Sequence, residues 1–267
     1  QAAQAFSMLL LVMGLAPILA PIVGSYFLDH FGWHSIFYFK ALFASICLLA
    51  IMLLIPESLQ QARKLQFQQV LSSYWQLLFD RSFIGYTLSS GFAFSGMFAY
   101  IAGSPNLLIS LHGLSASQYS LVFGTNAFGF IAASQINAWF LRRGYSMLNI
   151  LHTALYIPAF VSTLVCIAVF FNVANLSLML LALFSYIASL GFISPNAGAA
   201  AMANQGHQAG TASAMMGVLQ FSMATIIGAT LGFSNQHSAL PLFVILMSCG
   251  VSAFVWHRLM INSQSKF

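Results

Sequence analysis

Eight long apolar stretches, separated by short polar turns, make up most of this 267-residue sequence. Each stretch has roughly the 20 residues that a helix needs to cross the hydrocarbon core of a bilayer. Because hydrocarbon offers no partners to backbone polar groups, such stretches fold as helices. The sequence therefore predicts an all-α integral membrane protein, a polytopic helical bundle. The predicted spans are Gln4–Phe27, Ile36–Ile55, Phe83–Gly103, Tyr119–Leu141, Leu148–Phe171, Leu176–Met202, with a break at Pro195, Thr211–Phe233 and Leu240–Met260.

Composition excludes several other classes of protein. Hydrophobic residues make up 60% of the chain and charged residues only 4%, which is far from the usage of water-soluble domains. The net charge of +5 comes from dispersed basic residues, so a nucleic-acid surface is not expected. Cys47, Cys166 and Cys249 lie in apolar runs without a CxxC pair, which favours buried thiols.

The basic residues predict how the chain is oriented in the membrane. Seven of the eight lie at or beyond the end of an even-numbered span or precede an odd-numbered one, and only Lys40 does not. Basic loops remain in the cytoplasm, so both termini are predicted to be cytoplasmic. The seven residues are Arg63, Lys64, Arg81, Arg142, Arg143, Arg258 and Lys266.

Two prolines four residues apart shape the first predicted span. Pro17 and Pro21 cannot donate backbone hydrogen bonds, so the carbonyls one turn earlier lose their partners and the helix bends. Small residues surround both prolines and would let another helix backbone approach and cover the bend. The pattern is typical of an interior, tightly packed membrane helix.

The same span resembles the antiporter motif of drug:proton antiporters in the major facilitator superfamily. The matching positions are Ser7, Ala16, Ala20, Pro21, Gly24 and Ser25, with alanine or serine where the family pattern has several glycines, and Pro17 lies on the same helix. The Ala-Pro-x-x-Ala-Pro form, the run Phe31–Phe37 and the run Ala209–Ala214 are similar to the Bcr/CflA drug-resistance branch.

This resemblance implies a secondary active transporter of the bacterial inner membrane. It would export drugs or other small amphipathic molecules by alternating access, as a monomer, with the proton gradient as its energy source and no cofactor. The eight spans would correspond to helices five to twelve of twelve, with four more helices expected before Gln1. Residues 1–55 would end the N-terminal half, 56–82 would form a cytoplasmic loop with an interfacial helix, and 83–267 would form the C-terminal half.

Several residues are candidates for a transport site near the middle of the membrane. The predicted second-half wall of the substrate cavity consists of Phe92, Gly96, Tyr100, Asn126 and Gln220. Interhelical hydrogen bonding is an alternative role for Asn126 and for Asn137, which lies about three turns away on the same face. Gln135 falls on the opposite face.

Two further features admit a structural and a functional interpretation. Pro105 and Asn106 end a helix and predict either a gate or simple helix termination. A series of mostly small residues that recurs every three or four positions predicts a helix-packing seam, with Gly210, Ala214, Gly217 and Gly228 as its candidate residues. The seam is interpreted as a static contact or as a surface that rocks during transport.

Titratable residues are few. His152, near the cytoplasmic start of a span, is interpreted as a wet structural histidine, and Lys40 as a side chain that snorkels to the interface. Asp29, His30 and His34 share an interfacial turn, but they lack an assured common helical face, so no metal is expected. Asp29, Glu57 and Asp80 all lie at span ends, so a proton-coupling acid is expected outside this chain.

Two other classes of protein were weighed. A membrane enzyme needs a clustered catalytic set, and the sequence offers none. A non-transporting scaffold or channel component is compatible with the composition but leaves the double-proline span unexplained. The isolated chain is expected not to transport, because half a cavity would leave polar walls facing lipid.

Overall fold

The structure is a computed structural model that describes residues 23–24, 26–28, 30–54, 67–234 and 237–261. These residues form helices joined by short turns. The helices are α1 (Trp33–Leu54), α2 (Phe67–Phe79), α3 (Arg81–Pro105), α4 (Ala116–Arg142), α5 (Met147–Ala154), α6 (Tyr156–Phe170), α7 (Leu176–Met202), α8 (Ala209–Gly232) and α9 (Leu240–Ile261). A π-helical stretch, Asn106–Leu111, continues α3, and a short 3₁₀ turn, Gly206–Gln208, precedes α8.

Six helical segments of the described chain are long and apolar enough to cross a membrane. They are Trp33–Leu54, Arg81–Leu111, Met147–Phe170, Leu176–Met202, Ala209–Gly232 and Leu240–Met260. A seventh predicted span forms α4, whose 27 residues are long enough, although its amides and hydroxyls lower its hydropathy. The prediction of Gln4–Phe27 lies almost entirely outside the described residues.

The chain divides into two compact units, residues 1–66 and 67–267. In the first unit, α1 has no buried residue. In the second, α3 and α7 form the interior: α3 packs against α7, α8 and α9, while α7 packs against α3, α4, α5 and α6. The buried side chains of these two helices, from Phe83 to Tyr100 and from Met179 to Ala201, supply much of the core.

Successive spans of the second unit, with α5 and α6 counted as one, run in opposite directions and place three arginine-bearing ends together. Asp80, just before α3, contacts Gln205, just after α7. Arg258, near the end of α9, donates to the hydroxyl of Tyr156 at the start of α6. We call the end that carries Arg81, Arg142 and Arg258 the basic end of the bundle.

Local sequence signals explain where the helices begin. The carboxylate of Asp80 accepts from the backbone N–H groups of Ser82 at 2.9 Å and Phe83 at 3.0 Å, which caps α3. Ser115 and Gln118 form a capping box at the start of α4. Asn175 caps α7 by accepting from the N–H of Leu178 at 2.8 Å.

Prolines act differently from the prediction at two places. The expected break at Pro195 is wrong: α7 continues through it, supported on its other faces by four packed helices. The predicted fifth span is instead divided at Leu155 into α5 and α6. Pro158 accounts for this division, because it lacks the N–H that would bond to the carbonyl of Ala154, the last residue of α5.

Candidate functional site

The interior face of α3 carries a row of small polar side chains. Ser89 and Ser95 donate hydrogen bonds of 2.7 Å to the carbonyls of Gly85 and Gly91 in the same helix. These hydroxyls are therefore satisfied locally, as serines within membrane helices commonly are. What remains for neighbouring helices is a narrow, weakly polar surface on which larger side chains of α4, α7 and α8 can pack.

Tyr100 and Asn126 meet on this surface. The Nδ2 group of Asn126 on α4 donates to the hydroxyl of Tyr100 on α3 at 2.8 Å. The Tyr100 ring stacks on Phe123, with 5.8 Å between the ring centroids, and both hydrogen-bonding side chains are at most 3% exposed. The predicted interhelical role of Asn126 is thus confirmed, and two of the five candidate cavity residues are in direct contact.

Gly96, another candidate cavity residue, lies directly beneath Tyr186 of α7. The Tyr186 hydroxyl donates to the backbone carbonyl of Ala93 at 3.3 Å, and the tyrosine is 1% exposed. A Cβ atom at position 96 would lie 2.5 Å from Cζ of Tyr186. The glycine therefore permits the close packing of α3 on α7, and Tyr186 stands between Gly96 and any open space.

Gln220 bonds to α3 at a second level of the bundle. Its Nε2 group donates to the hydroxyl of Ser90 at 2.9 Å, and both groups lie at least partly inside the bundle. Ser90 precedes Tyr100 by ten residues, so this contact lies about 15 Å nearer the basic end. Phe92 is half-buried against the core. The five candidates thus lie at two levels along the length of α3 and do not form one compact pocket.

An aromatic cluster that the sequence did not predict lies beside Gln220. Phe94 and Phe98 of α3 contact Phe221 of α8 edge-on, with centroid separations of 5.8 and 6.0 Å. Phe221 is 56% exposed, so the cluster faces outward from the second unit. Its only sequence signal is the spacing of the two α3 phenylalanines by four residues.

The candidate gate coincides with a change of helix type. Pro105 is the last residue of α3, and Asn106 begins the π-helical stretch. A small cavity of about 100 Å³ adjoins it, and Gly103, Asn106, Gly228, Leu231 and Pro241 are among its lining residues. The α-helix ends at Pro105, as predicted, but the chain continues directly as a π-helix, and the role of a gate stays a prediction.

The predicted packing seam on α8 is not packed within the described residues. A Cβ atom added at Gly210, Gly217 or Gly228 would meet no atom within 4 Å, and Ala214 is exposed. The residues of α8 that are buried are instead Ala212, Met215, Ala224 and Leu231. The seam therefore stays a prediction about surfaces outside this bundle.

Three further side-chain hydrogen bonds lie near the basic end. Asn137 and Asn196 exchange hydrogen bonds of 2.7 and 3.4 Å, and both are almost fully buried. This confirms the interhelical interpretation of Asn137. The Nε2 group of Gln205 donates to the carboxylate of Asp80 at 2.7 Å, a contact between distant sequence positions that no local pattern signals.

His257 is a buried histidine that the sequence analysis missed. It is 4% exposed, and its ring centroid lies 5.6 Å from that of half-buried His152 and 6.1 Å from that of Tyr86. His257 stands inside the last predicted span, one residue before Arg258. The rule that selected His152, an ionisable residue within an apolar run, would have selected it too.

Other predicted residues fall largely outside the described chain. Of the antiporter-motif positions, Ser7, Ala16, Pro17, Ala20, Pro21 and Ser25 lie outside it, and Gly24 is the one described. Asp29 is likewise outside. The Nδ1 atom of His30 is 3.0 Å from the Tyr26 carbonyl, and no group of three metal-ligating side chains occurs among the described residues.

Comparison with known proteins gives one family. The profile of the Major Facilitator Superfamily matches residues 1–232. The chain is 30% identical over 252 residues to "Uncharacterized MFS-type transporter YdgK" of Bacillus subtilis (strain 168), covering 92% of this chain and 61% of the relative. It is 26% identical over 253 residues to "Bicyclomycin resistance protein homolog" of Haemophilus influenzae, covering 94% and 63%.

A more distant match has a name that states a function. "Multidrug transporter MdfA" of Edwardsiella ictaluri is 30% identical over 213 residues, covering 70% of this chain and 50% of the relative. The chain thus spans about three fifths of the length of the first two relatives and half of the third.

Proposed function

This chain belongs to the major facilitator superfamily, and from that premise we propose that the protein exports drugs or other small amphipathic molecules. Transport proceeds by alternating access, with the proton gradient as the energy source. The observation that carries this proposal is the similarity, over more than nine tenths of the chain, to a bicyclomycin resistance protein homolog. The multidrug name of a third relative supports the same class of substrate.

The two polar levels of α3 suit such substrates. Tyr100 with Asn126, and Gln220 with Ser90, offer hydrogen-bonding groups among aromatic side chains that include Phe92 and Phe123. Sites for amphipathic ligands combine apolar walls with a few polar groups that fix orientation. In this proposal the polar groups of the substrate take the place of the partner side chains in these interhelical hydrogen bonds. Substrate binding and rupture of the interhelical bonds are therefore coupled.

The architecture follows the predicted division of the chain. Residues 83–267 act as the C-terminal half, residues 1–55 as the end of the N-terminal half, and Pro105 with Asn106 as a gate at the end opposite the arginines. The glycine seam of α8 acts as a surface that rocks during transport. The protein is a monomer of the bacterial inner membrane, with both termini and the basic end in the cytoplasm.

The experiment is proton-dependent dye efflux from cells that express the full-length protein containing this chain. Tyr100→Phe and Asn126→Ala should each reduce efflux several-fold, because each removes one partner of the same bond. Gln135→Ala is the matched control, since Gln135 is an amide of the same helix on its exposed face. Efflux that is unaffected by collapse of the proton gradient would contradict the proposal.

The same assay addresses the alternative of a non-transporting scaffold or channel component. Dye binding without net movement would favour a scaffold, and movement that only follows the dye gradient would favour a channel. Reconstitution of the 267-residue chain by itself should give no vectorial uptake, because the proposed cavity needs a second wall.

A further inference from the structure

A groove of about 330 Å³ lies near the basic end, between the end of α4, helices α5 and α6, and α7. Phe140, Tyr145, Ile157 and Phe192 form much of its wall. Thr153 also lines it, but the Thr153 hydroxyl donates to the carbonyl of Asn149 at 2.8 Å and so is satisfied within its own helix. The groove therefore presents a largely apolar surface to its occupant.

The groove is placed where a lipid could enter it from the side. Tyr145 is 58% exposed and Ile157 is 38% exposed, so the wall is open to the bilayer rather than enclosed by the bundle. Phe140 and Tyr145 place one part of the wall, which we call the mouth of the groove, at the end of α4 and close to where a spanning helix leaves the hydrocarbon. An occupant with an apolar body and a polar end at this level would match both regions.

Two arginines lie next to this mouth in the chain. Arg142 and Arg143 lie in the turn between Phe140 and Tyr145, which is closed by a 3.2 Å hydrogen bond from the Tyr145 N–H to the Phe140 carbonyl. The Arg143 guanidinium carbon lies 4.1 Å from the centroid of the Trp139 ring, which orients that side chain. In the described part of the chain, the one acidic residue is Asp80, which already accepts from Gln205.

We propose that this groove binds an anionic phospholipid, with one acyl chain against Phe140 and Phe192 and the headgroup phosphate on Arg142 and Arg143. Guanidinium groups match phosphate oxygens in geometry as well as charge. Basic pockets between membrane helices bind anionic headgroups in this manner. The charge at the mouth gives the site a preference for a net-negative lipid over a zwitterionic one with identical chains. The inference is independent of the proposed export activity.

Tryptophan fluorescence tests the site, because Trp139 lies beside its mouth. Replacing the other three tryptophans by Trp33→Phe, Trp75→Phe and Trp256→Phe leaves Trp139 as the one reporter in the 267-residue chain. The protein is reconstituted in phosphatidylcholine vesicles that contain a small fraction of one lipid with brominated acyl chains. This lipid is either brominated phosphatidylglycerol or brominated phosphatidylcholine. Brominated phosphatidylglycerol should quench Trp139 at a several-fold lower mole fraction than brominated phosphatidylcholine. Equal quenching by the two lipids would overturn the proposal.

Two variants separate charge from shape. Arg142→Gln combined with Arg143→Gln should reduce the preference by about fivefold for each arginine, whereas Arg81→Gln, an exposed arginine on α3, should preserve it. Thr153→Phe fills the groove and should also reduce the preference. Thr125→Phe is its control, since Thr125 is likewise exposed and bonded to the carbonyl four residues earlier.

Quenching by brominated phosphatidylcholine also checks the fold of each variant, because it reports that Trp139 still faces lipid. A preference that survives either the double arginine change or Thr153→Phe would overturn the proposal. So would a preference in the parent protein that a lipophilic dye abolishes, since the groove would then bind transported compounds instead.

Discussion

Tyr186 of α7 fills the space beside Gly96 of α3, and the Tyr186 hydroxyl donates to the carbonyl of Ala93, which is also on α3. A side chain at position 96 and the tyrosine ring therefore exclude one another. This contact is one of those that join the two interior helices of the bundle. The function of the protein is proposed to depend on how such helices move.

Gly96→Ala should destabilise the protein. The new Cβ atom would lie 2.5 Å from Cζ of a buried tyrosine, so either the ring or the helix must move. Overpacking of this kind costs about 1–3 kcal/mol. Thermal unfolding in detergent should show a lowered midpoint, while Gly210→Ala, where no atom lies within 4 Å, should leave it nearly unchanged. Equal midpoints for the two variants would contradict the packing described here.

Gly191→Ala should be more damaging than Gly96→Ala. A Cβ atom there would lie 2.7 Å from the backbone nitrogen of Ser134 and would also overlap the carbonyl of Phe130, both on α4. Backbone atoms cannot rotate away as a side chain can, so the two helices must separate along their contact. Expression level and melting midpoint measure the effect. Gly124→Ala on α4, which has open space around it, is the control and should behave as the parent.

Asn137 and Asn196 should depend on one another for their effect on stability. Replacing either by alanine leaves its partner buried without the reciprocal bond and should cost on the order of 1 kcal/mol. The double replacement should cost clearly less than the sum of the single ones, because the second change removes an orphaned group. A double-mutant cycle of unfolding free energies measures this coupling. Additive losses would show that the pair contributes no specific bond.

The predicted orientation can be tested with two engineered cysteines in a protein without native cysteines. Ser117→Cys lies at the start of α4 and Ser146→Cys follows its other end, and both serines are exposed. With the basic end in the cytoplasm, an impermeant thiol reagent should label Ser117→Cys in intact cells and Ser146→Cys only after permeabilisation. The reversed labelling pattern would overturn the orientation.

Hydropathy located the helices because membrane insertion depends on segment length and apolar character, both of which a sequence contains directly. Leu176–Met202 was predicted with the bounds that α7 has. The polar α4 was also predicted, because its run Tyr119–Leu141 is long enough to cross the bilayer. Asn126 and Asn137 fall on one face of that helix regardless of what they contact. Both are buried as that spacing requires.

Contacts between helices were largely beyond the sequence. The partner of Asn126 depends on the rotation of two helices about their axes, and nothing near position 100 or 126 specifies that rotation. Tyr186 and Gly96 are 90 residues apart, so their fit appears only when α3 and α7 are packed. Pro195 shows the converse: a local rule predicted a break, and packing against four neighbours preserved the helix.

The π-helical stretch after Pro105 has a consequence for the polar face of α3. Leu107 and Leu108 are at most 1% exposed, so the row of hydroxyls along α3 ends against bulky hydrocarbon before it reaches the far surface. The two leucines therefore separate that row from the far surface of the second unit.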